Sequence, residues 1–352
     1  FKCIDFRFCL TSEIGDLRII ETMFDVITFG SAAWDAYMDL SPKFIKKSAH
    51  FTPAKDLVFD LGSKIDVPGT RFAFGGGGVN TARMFAAQGL STAYCGMVGD
   101  DIPGRESIAY LKSLGIDTGM VSKTDKRGTN SSVVLNAPGA DRVILVYRGA
   151  SELLARENIQ WEKLNAKLFY LAPLSGKLCR LTEQITAHAK KQGAIVAANL
   201  GNSQLAMGRA CIKSLLARID VLILNLEEAA IMTSTDYNDE KNILKKVAHL
   251  HPGINVITKG KDGAAIIADG KIYSAKLKSF KTINATGAGD AFASGFMSGL
   301  LASNNDIEYS LKLALVAAKH CLSARFPEGL PVRRNLRLVE RENIKINVRS
   351  FF

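Results

Sequence analysis

Asn284-Ala285-Thr286-Gly287-Ala288-Gly289-Asp290-Ala291-Phe292 sets two glycines around a small residue, and an acid follows at once. Beyond it Phe292, Gly295, Phe296, Gly299 and Leu300 recur at helical spacing, so the Gly-Ala-Gly segment is predicted to be a tight turn opening a buried helix. Such a turn aims unpaired backbone N–H groups at whatever lies in front, with the helix dipole behind them. That is an anion hole. An acid in the same place would repel the anion. Asp290 therefore reads as a general base that takes a proton from a hydroxyl while the amides hold a phosphoryl group. The competing reading is an ordinary carboxylate in the first turn of a helix, favoured there by capping and the dipole.

A second glycine cluster lies far upstream. Gly75-Gly76-Gly77-Gly78-Val79-Asn80 opens a helical pattern over 81–88 that Gly89 closes. Four consecutive glycines let backbone approach a ligand closely, and Asn80, one turn later, can both donate and accept hydrogen bonds. A flexible loop is the alternative, but an ordered amphipathic helix follows directly. A short apolar strand is predicted over 93–98, ahead of Gly99-Asp100-Asp101.

Between the two clusters, short apolar strands at 168–171, 194–198, 221–224 and 255–258 alternate with helical segments. This implies βαβ units and a parallel sheet covered on both faces, with ligand sites beyond the C-terminal strand ends. Gly30-Ser31-Ala32-Ala33-Trp34-Asp35 follows the first strand (25–29); Asn199, Asn225 and Thr258 stand at the ends of later ones. All converge on one cleft. Strands at 264–268 and 272–273 end the sheet, and Leu311, Ala314, Leu315, Ala318 and Leu322 form the apolar stripe of a last helix. A polar insertion over 36–74, with strands at 57–61 and 71–74, joins strands 132–136 and 143–147 in a predicted small β-sheet.

Composition narrows the class. At 352 residues and 47% apolar, the chain can bury the core of one large α/β domain, alone or with a small appendage. No apolar run reaches membrane-span length, and the start lacks a secretory pattern. Cysteines 3, 9, 95, 179, 211 and 321 form no Cys-x-x-Cys pair and read as reduced thiols of a cytoplasmic protein. His249 and His251 have no cysteine nearby, which leaves a metal role for them without support. The net charge is +11, but residues 332–352 alone hold six basic and two acidic side chains. Without a recognition helix or an aromatic-basic platform, nucleic acid is not the expected partner; anionic small molecules account for the charge.

Together these segments resemble the ribokinase-like (PfkB) carbohydrate and nucleoside kinases. Residues 75–101 look like that family's N-terminal signature and 284–292 like its C-terminal signature, and the resemblance runs over about residues 24–330. Asn225-Leu226-Glu227-Glu228 fits the family's Asn-x-x-Glu motif, and Thr258-Lys259-Gly260-Lys261-Asp262-Gly263 its Thr-x-Gly-x-x-Gly nucleotide loop. The resemblance implies a three-layer α/β/α fold with a mostly parallel central sheet and a β-sheet lid (about 36–74 and 130–148) that often makes a dimer contact. It implies ATP-dependent transfer to a hydroxyl of a small sugar or sugar acid, with Asp290 as base and Gly287, Ala288 and Gly289 as the anion hole.

On the acceptor side it implies Asp35, Asn80 and the backbone of Gly75, Gly76 and Gly77, with Arg148 able to meet an acidic group. On the donor side it implies Asn199, Asn225, Thr258, Gly260 and Gly263 for the nucleotide, and Asn225 with Glu228 for Mg²⁺, which keeps much of its water. Where the family opens its C-terminal signature with Asp, this chain has Asn284, so a monovalent-cation site would lack that charge and respond weakly to K⁺.

A nucleoside kinase is the alternative; an apolar aromatic slot in the pocket under the lid, including Trp34 or Phe74, would favour it. A non-catalytic sugar-binding regulator is a third reading, opposed by the intact Gly-Ala-Gly-Asp core. Residues 1–22 are expected to be a dispensable extension ahead of Met23, 23–332 the kinase domain, and 333–352 a basic tail.

Overall fold

The computed structural model describes residues 23–47, 55–136, 142–283, 286–324, 339 and 342–351. The expectations for 1–22 and Asn284 lie outside the described residues. The strands are β1 (Phe24–Phe29), β2 (Ala33–Asp39), β3 (Ile45–Lys47), β4 (Lys55–Leu57), β5 (Gly69–Gly75), β6 (Thr92–Gly99), β7 (Val121–Thr124), β8 (Asn130–Asn136), β9 (Val143–Tyr147), β10 (Ala166–Leu171), β11 (Ile195–Asn199), β12 (Val221–Asn225), β13 (Ile254–Thr258), β14 (Ala264–Ala268), β15 (Lys271–Ala275) and β16 (Asn347–Ser350). Helices α1 (Gly77–Ala87) and α2 (Ile102–Ser113) flank β6. Four shorter ones, α3 to α6 (Gly176–Arg180, Thr182–Lys191, Asn202–Leu205, Arg209–Leu216), lie between β10 and β12; α7 (Leu226–Thr233), α8 (Glu240–Leu250), α9 (Ala288–Ala302) and α10 (Ile307–Ser323) follow.

The central sheet runs β16-β15-β14-β13-β12-β11-β10-β1-β6-β7. It is parallel from β13 to β7, and β14, β15 and β16 add antiparallel strands at one edge. Period-2 alternation splits the strands between two cores. Ile27, Phe29, Phe169 and Leu171 enter one; Val26, Leu168 and Tyr170 enter the other with Phe292, Phe296 and Leu311 from α9 and α10. Burial on both faces explains why these strands read as apolar runs rather than as alternating patterns.

The small sheet has the order β5-β2-β8-β9. β2 extends the chain from Gly30-Ser31 directly into this sheet, a strand that its Trp34-Asp35-Ala36-Tyr37 sequence did not signal. The strand expected at 57–61 stops at Leu57, because Ser63 N donates to Asp60 O at 3.2 Å and Gly62 takes φ 78°, closing a turn. β3 and β4 make a separate ribbon. Part of the expected basic tail is sheet: β16 pairs antiparallel with β15. Among the described residues, no helix is long and apolar enough to cross a membrane.

Candidate active site

Gly287 caps α9 with φ 78°, a left-handed conformation that a Cβ would strain. The chain thereby turns into the helix with the N–H groups of Ala288 and Gly289 among its unpaired first donors. Gly289 is exposed, and a Cβ on it would meet nothing within 4 Å, so the space above the turn is open. Asp290 stands in the first turn of α9. Burial pushes its carboxyl up to about 6, against the lowering effects of a hydrogen bond from Asn80 and the charge of Arg83. Asn80 Nδ2 donates to Asp290 Oδ2 at 2.9 Å, joining the two glycine clusters across 210 residues. An ordinary capping carboxylate is solvated and acidic; this one is half-buried, with a raised pKa, and is held from a second helix.

The glycine run works by close approach rather than flexibility. A Cβ on Gly75 would collide with the Asp35 carboxylate, and Gly76, at φ 89°, lies against the Ser31 carbonyl. α1 begins within the run, at Gly77. Asp35 is hydrogen-bonded by Ser132 of β8, yet burial dominates and raises its pKa. Asp35 Oδ1 and Asn80 Oδ1 are both buried with no hydrogen-bond partner. Each such acceptor costs about 1–3 kcal/mol if left unmet. Two of them beside one cradle fit a ligand that brings hydroxyl donors.

Trp34 lies directly opposite Phe74 across the β2–β5 pair, with ring centroids 5.4 Å apart, and Phe74 stacks on Tyr110 of α2. Strand alternation puts both rings on the face of β2 away from Asp35. No Trp34–Phe74 slot forms beside the carboxylate. The aromatic residue on the Asp35 face is Tyr37, whose hydroxyl comes within the influence of Thr286 beside Gly287 and whose ring carries the Arg71 guanidinium at 4.7 Å. Arg148 is exposed after β9 and forms no ion pair with a described residue.

The motifs do not single out Tyr37 or Arg83. Arg83 is only 5% exposed, and its charge reaches Asp290, Tyr37 and Cys321. Its available signal is a lone cation in the buried run Val79, Ala82, Met84, Phe85, one turn beyond Asn80.

At the other end of the cleft, Asn225 and Glu228 form a reciprocal cap on α7. Asn225 Oδ1 accepts from Glu228 N at 2.7 Å, and Glu228 Oε2 accepts from Asn225 N at 2.8 Å and from Asn199 Nδ2 at 3.5 Å. Asn225 thus has its side-chain oxygen engaged in the helix start, and Glu228 is the carboxylate that remains for a cation. Burial raises the Glu228 pKa, partly offset by the Asn225 and Asn199 bonds. Among the described residues no cluster of three or more metal-ligating side chains occurs. A single carboxylate suits a hydrated Mg²⁺ that takes its other ligands from water and phosphate. Thr258 ends β13, and Gly260 (φ 55°) and Gly263 (φ 82°) bend the following loop. A cavity of about 660 Å³ between this loop and α7 is lined by Asn225, Glu227, Tyr237, Thr258 and Lys261.

With that geometry in place, residues 47–325 match the profile of the pfkB family carbohydrate kinases. The chain belongs to that family. A ribokinase of Haemophilus influenzae is 30% identical over 240 residues, covering 66% of this chain and 75% of the relative. A probable chloroplastic fructokinase-6 of Arabidopsis thaliana is 27% identical over 278 residues, covering 74% of this chain and 71% of the relative. Among solved structures, Arabidopsis thaliana ribokinase in complex with ribose and ATP superposes with a TM-score of 0.74 at 22% identity, covering 91% of this chain and 99% of the other. A Methanocaldococcus jannaschii nucleoside kinase gives a TM-score of 0.68 at 19% identity, covering 91% and 99%. The fold is ribokinase-like, and this pfkB kinase is an enzyme of the carbohydrate class.

Proposed function

We propose that this pfkB kinase transfers the γ-phosphoryl group of ATP to a hydroxyl of a small sugar or sugar acid. The observation that carries the reading is the Asn80–Asp290 hydrogen bond. It sets a half-buried carboxylate, titrating near 6, between an open amide turn and a cradle with two unmet acceptors. Asp35 and Asn80, with the Gly75, Gly76 and Gly77 backbone, hold the acceptor's hydroxyls. Asp290 removes the proton of the attacking hydroxyl, whose oxygen forms a bond to the γ-phosphorus as the bond to the ADP oxygen breaks. The Ala288 and Gly289 amides stabilise the charge that builds on the moving group. Thr258, Gly260 and Gly263 face the nucleotide, Asn199 steadies Glu228, and Glu228 holds Mg²⁺ through water; when bound, Mg²⁺ neutralises phosphate charge.

A sugar is favoured over a nucleoside because Trp34 and Phe74 lie across the strand from Asp35 and offer no stacking surface there. Assaying ATP consumption with sugars, sugar acids and nucleosides tests this. Turnover confined to a sugar or sugar acid is expected; turnover confined to nucleosides would overturn the acceptor assignment.

The partner proposed for the small sheet is a second copy of the chain. Edge strand β9 exposes Ile144, Leu145, Val146 and Tyr147, and Phe72 on β5 is 61% exposed. Such an edge invites pairing. Sedimentation should report a dimer that a Leu145→Lys, Tyr147→Lys variant dissociates; a monomeric wild type would refute it.

A further inference from the structure

The family match ends at residue 325, and β16 lies beyond it. Two successive antiparallel pairings make β15 parallel to β13, so the end of β15 lies at the same sheet edge as Thr258 and the nucleotide loop. β16 pairs with β15 so that Asn347 faces Ser274. The segment leading into β16 therefore enters the sheet from the edge where the site stands. There a cavity of about 800 Å³ is lined by Lys259 and Asp262 of the loop, Lys276 and Lys278 after β15, and Lys345 with Asn347 from the C-terminal segment.

Charge and anchoring both argue that this wall is built. Four lysines face the cavity against one carboxylate, Asp262. Lys259 is neutralised by Glu240 at 2.9 Å, whereas Lys276, Lys278 and Lys345 form no ion pair with a described residue. These three lysines are exposed, so they leave a positive potential over the cavity that an anion from solvent can meet. Lys345 is fixed from both sides. Ile344 and Val339 are buried in the core beside α10, Glu342 bridges Lys319 at 2.6 Å, and Phe351 N donates to Gly270 O at 2.9 Å beyond β16.

We propose that the C-terminal segment is part of the donor-nucleotide site, with Lys345 adding a positive charge for the nucleotide's phosphates from outside the family's common core. This rests on reading the Thr258–Gly263 loop as nucleotide-binding. Truncation would remove buried Ile344 and risk unfolding, so the test uses Lys345→Gln and Lys345→Arg in the full chain. Binding of a non-hydrolysable ATP analogue is measured by calorimetry at low and high salt, beside KM for ATP and for the acceptor. Lys345→Gln should weaken analogue binding and raise KM for ATP about three- to tenfold at low salt, less at high salt, with acceptor KM and Tm unchanged. Lys345→Arg should bind like wild type. If Lys345→Gln binds the analogue as tightly as wild type, this inference falls while the reading of the cleft stands. A wild type that binds no analogue brings down both.

Discussion

The two ends of the cleft are built differently. At the proposed acceptor end, two half-buried carboxylates have raised pKa values, two buried acceptor atoms await donors, and glycines press backbone against side chains. At the proposed donor end, Asn225 and Glu228 are engaged in a helix cap, the loop bends at glycines, and three of the four cavity lysines are exposed. The acceptor end is pre-organised, which suits a neutral ligand recognised by hydrogen-bond geometry. The donor end is an electrostatic surface, which suits a polyanion that brings its own charge and cation. Single substitutions should therefore be severe at the first end and graded at the second.

The largest effect is expected at Asp290. Asp290→Asn keeps the shape and an Asn80 contact but loses the base, so kcat should fall about 10²–10⁴-fold while the ATP analogue still binds. The raised pKa adds a pH signature. The ionised base dominates above about 6, so kcat/KM of the wild type should fall tenfold per unit below that value. The same shift has the opposite sign for stability, since a folded pKa above the unfolded one favours the folded state at low pH and loses that contribution as pH rises through 6. Near-wild-type turnover of Asp290→Asn at saturating substrate would sink the base assignment and, with it, the contrast between the ends.

Asp35→Ala should come next and should divide the ligands. A buried carboxylate accepting two hydroxyl bonds contributes about 2–4 kcal/mol, or roughly 30- to 1000-fold in acceptor KM. KM for ATP should move little, because Asp35 sits on the small sheet and the nucleotide loop follows β13. A rise in KM for ATP with acceptor KM unchanged would reverse the assigned ends.

How much of this was legible in the sequence follows from the same contrast. The parallel sheet was readable because strands buried on both faces are written as apolar runs, and boundaries moved by only a residue or two. The turn into α9 was readable because Gly287 stands where the backbone is left-handed. What was not legible depended on side chains meeting across the chain. Tyr37 reaches Thr286 only because β2 enters the small sheet, and the sequence of β2, with Asp35 and Asp39 four residues apart among apolar neighbours, lacks the strict alternation that marks a half-buried strand. Trp34 and Phe74 looked like candidate stacking residues until strand register put them behind Asp35. β16 was hidden because a short, fully exposed edge strand within a basic stretch reads as a tail.

The smallest effect is expected at Asn225, and it decides whether the Asn-x-x-Glu motif is a ligand set or a scaffold. Its side-chain oxygen accepts from Glu228 N, and its own N–H holds Glu228 Oε2, so it orients the motif carboxylate proposed for Mg²⁺. Asn225→Ala removes the cap and should cost about 1 kcal/mol of stability. The backbone N–H that holds Glu228 survives the substitution, so the Mg²⁺ concentration for half-maximal activity should rise by about 10-fold at most, the low end for loss of an outer-sphere partner. Asn225→Asp, an equally good cap, should restore stability. Direct coordination predicts another pattern: unchanged melting, with a Mg²⁺ requirement raised by two orders of magnitude or more. Finding that pattern would make the donor end a preformed metal site rather than an electrostatic surface, and would erase the difference between the two ends.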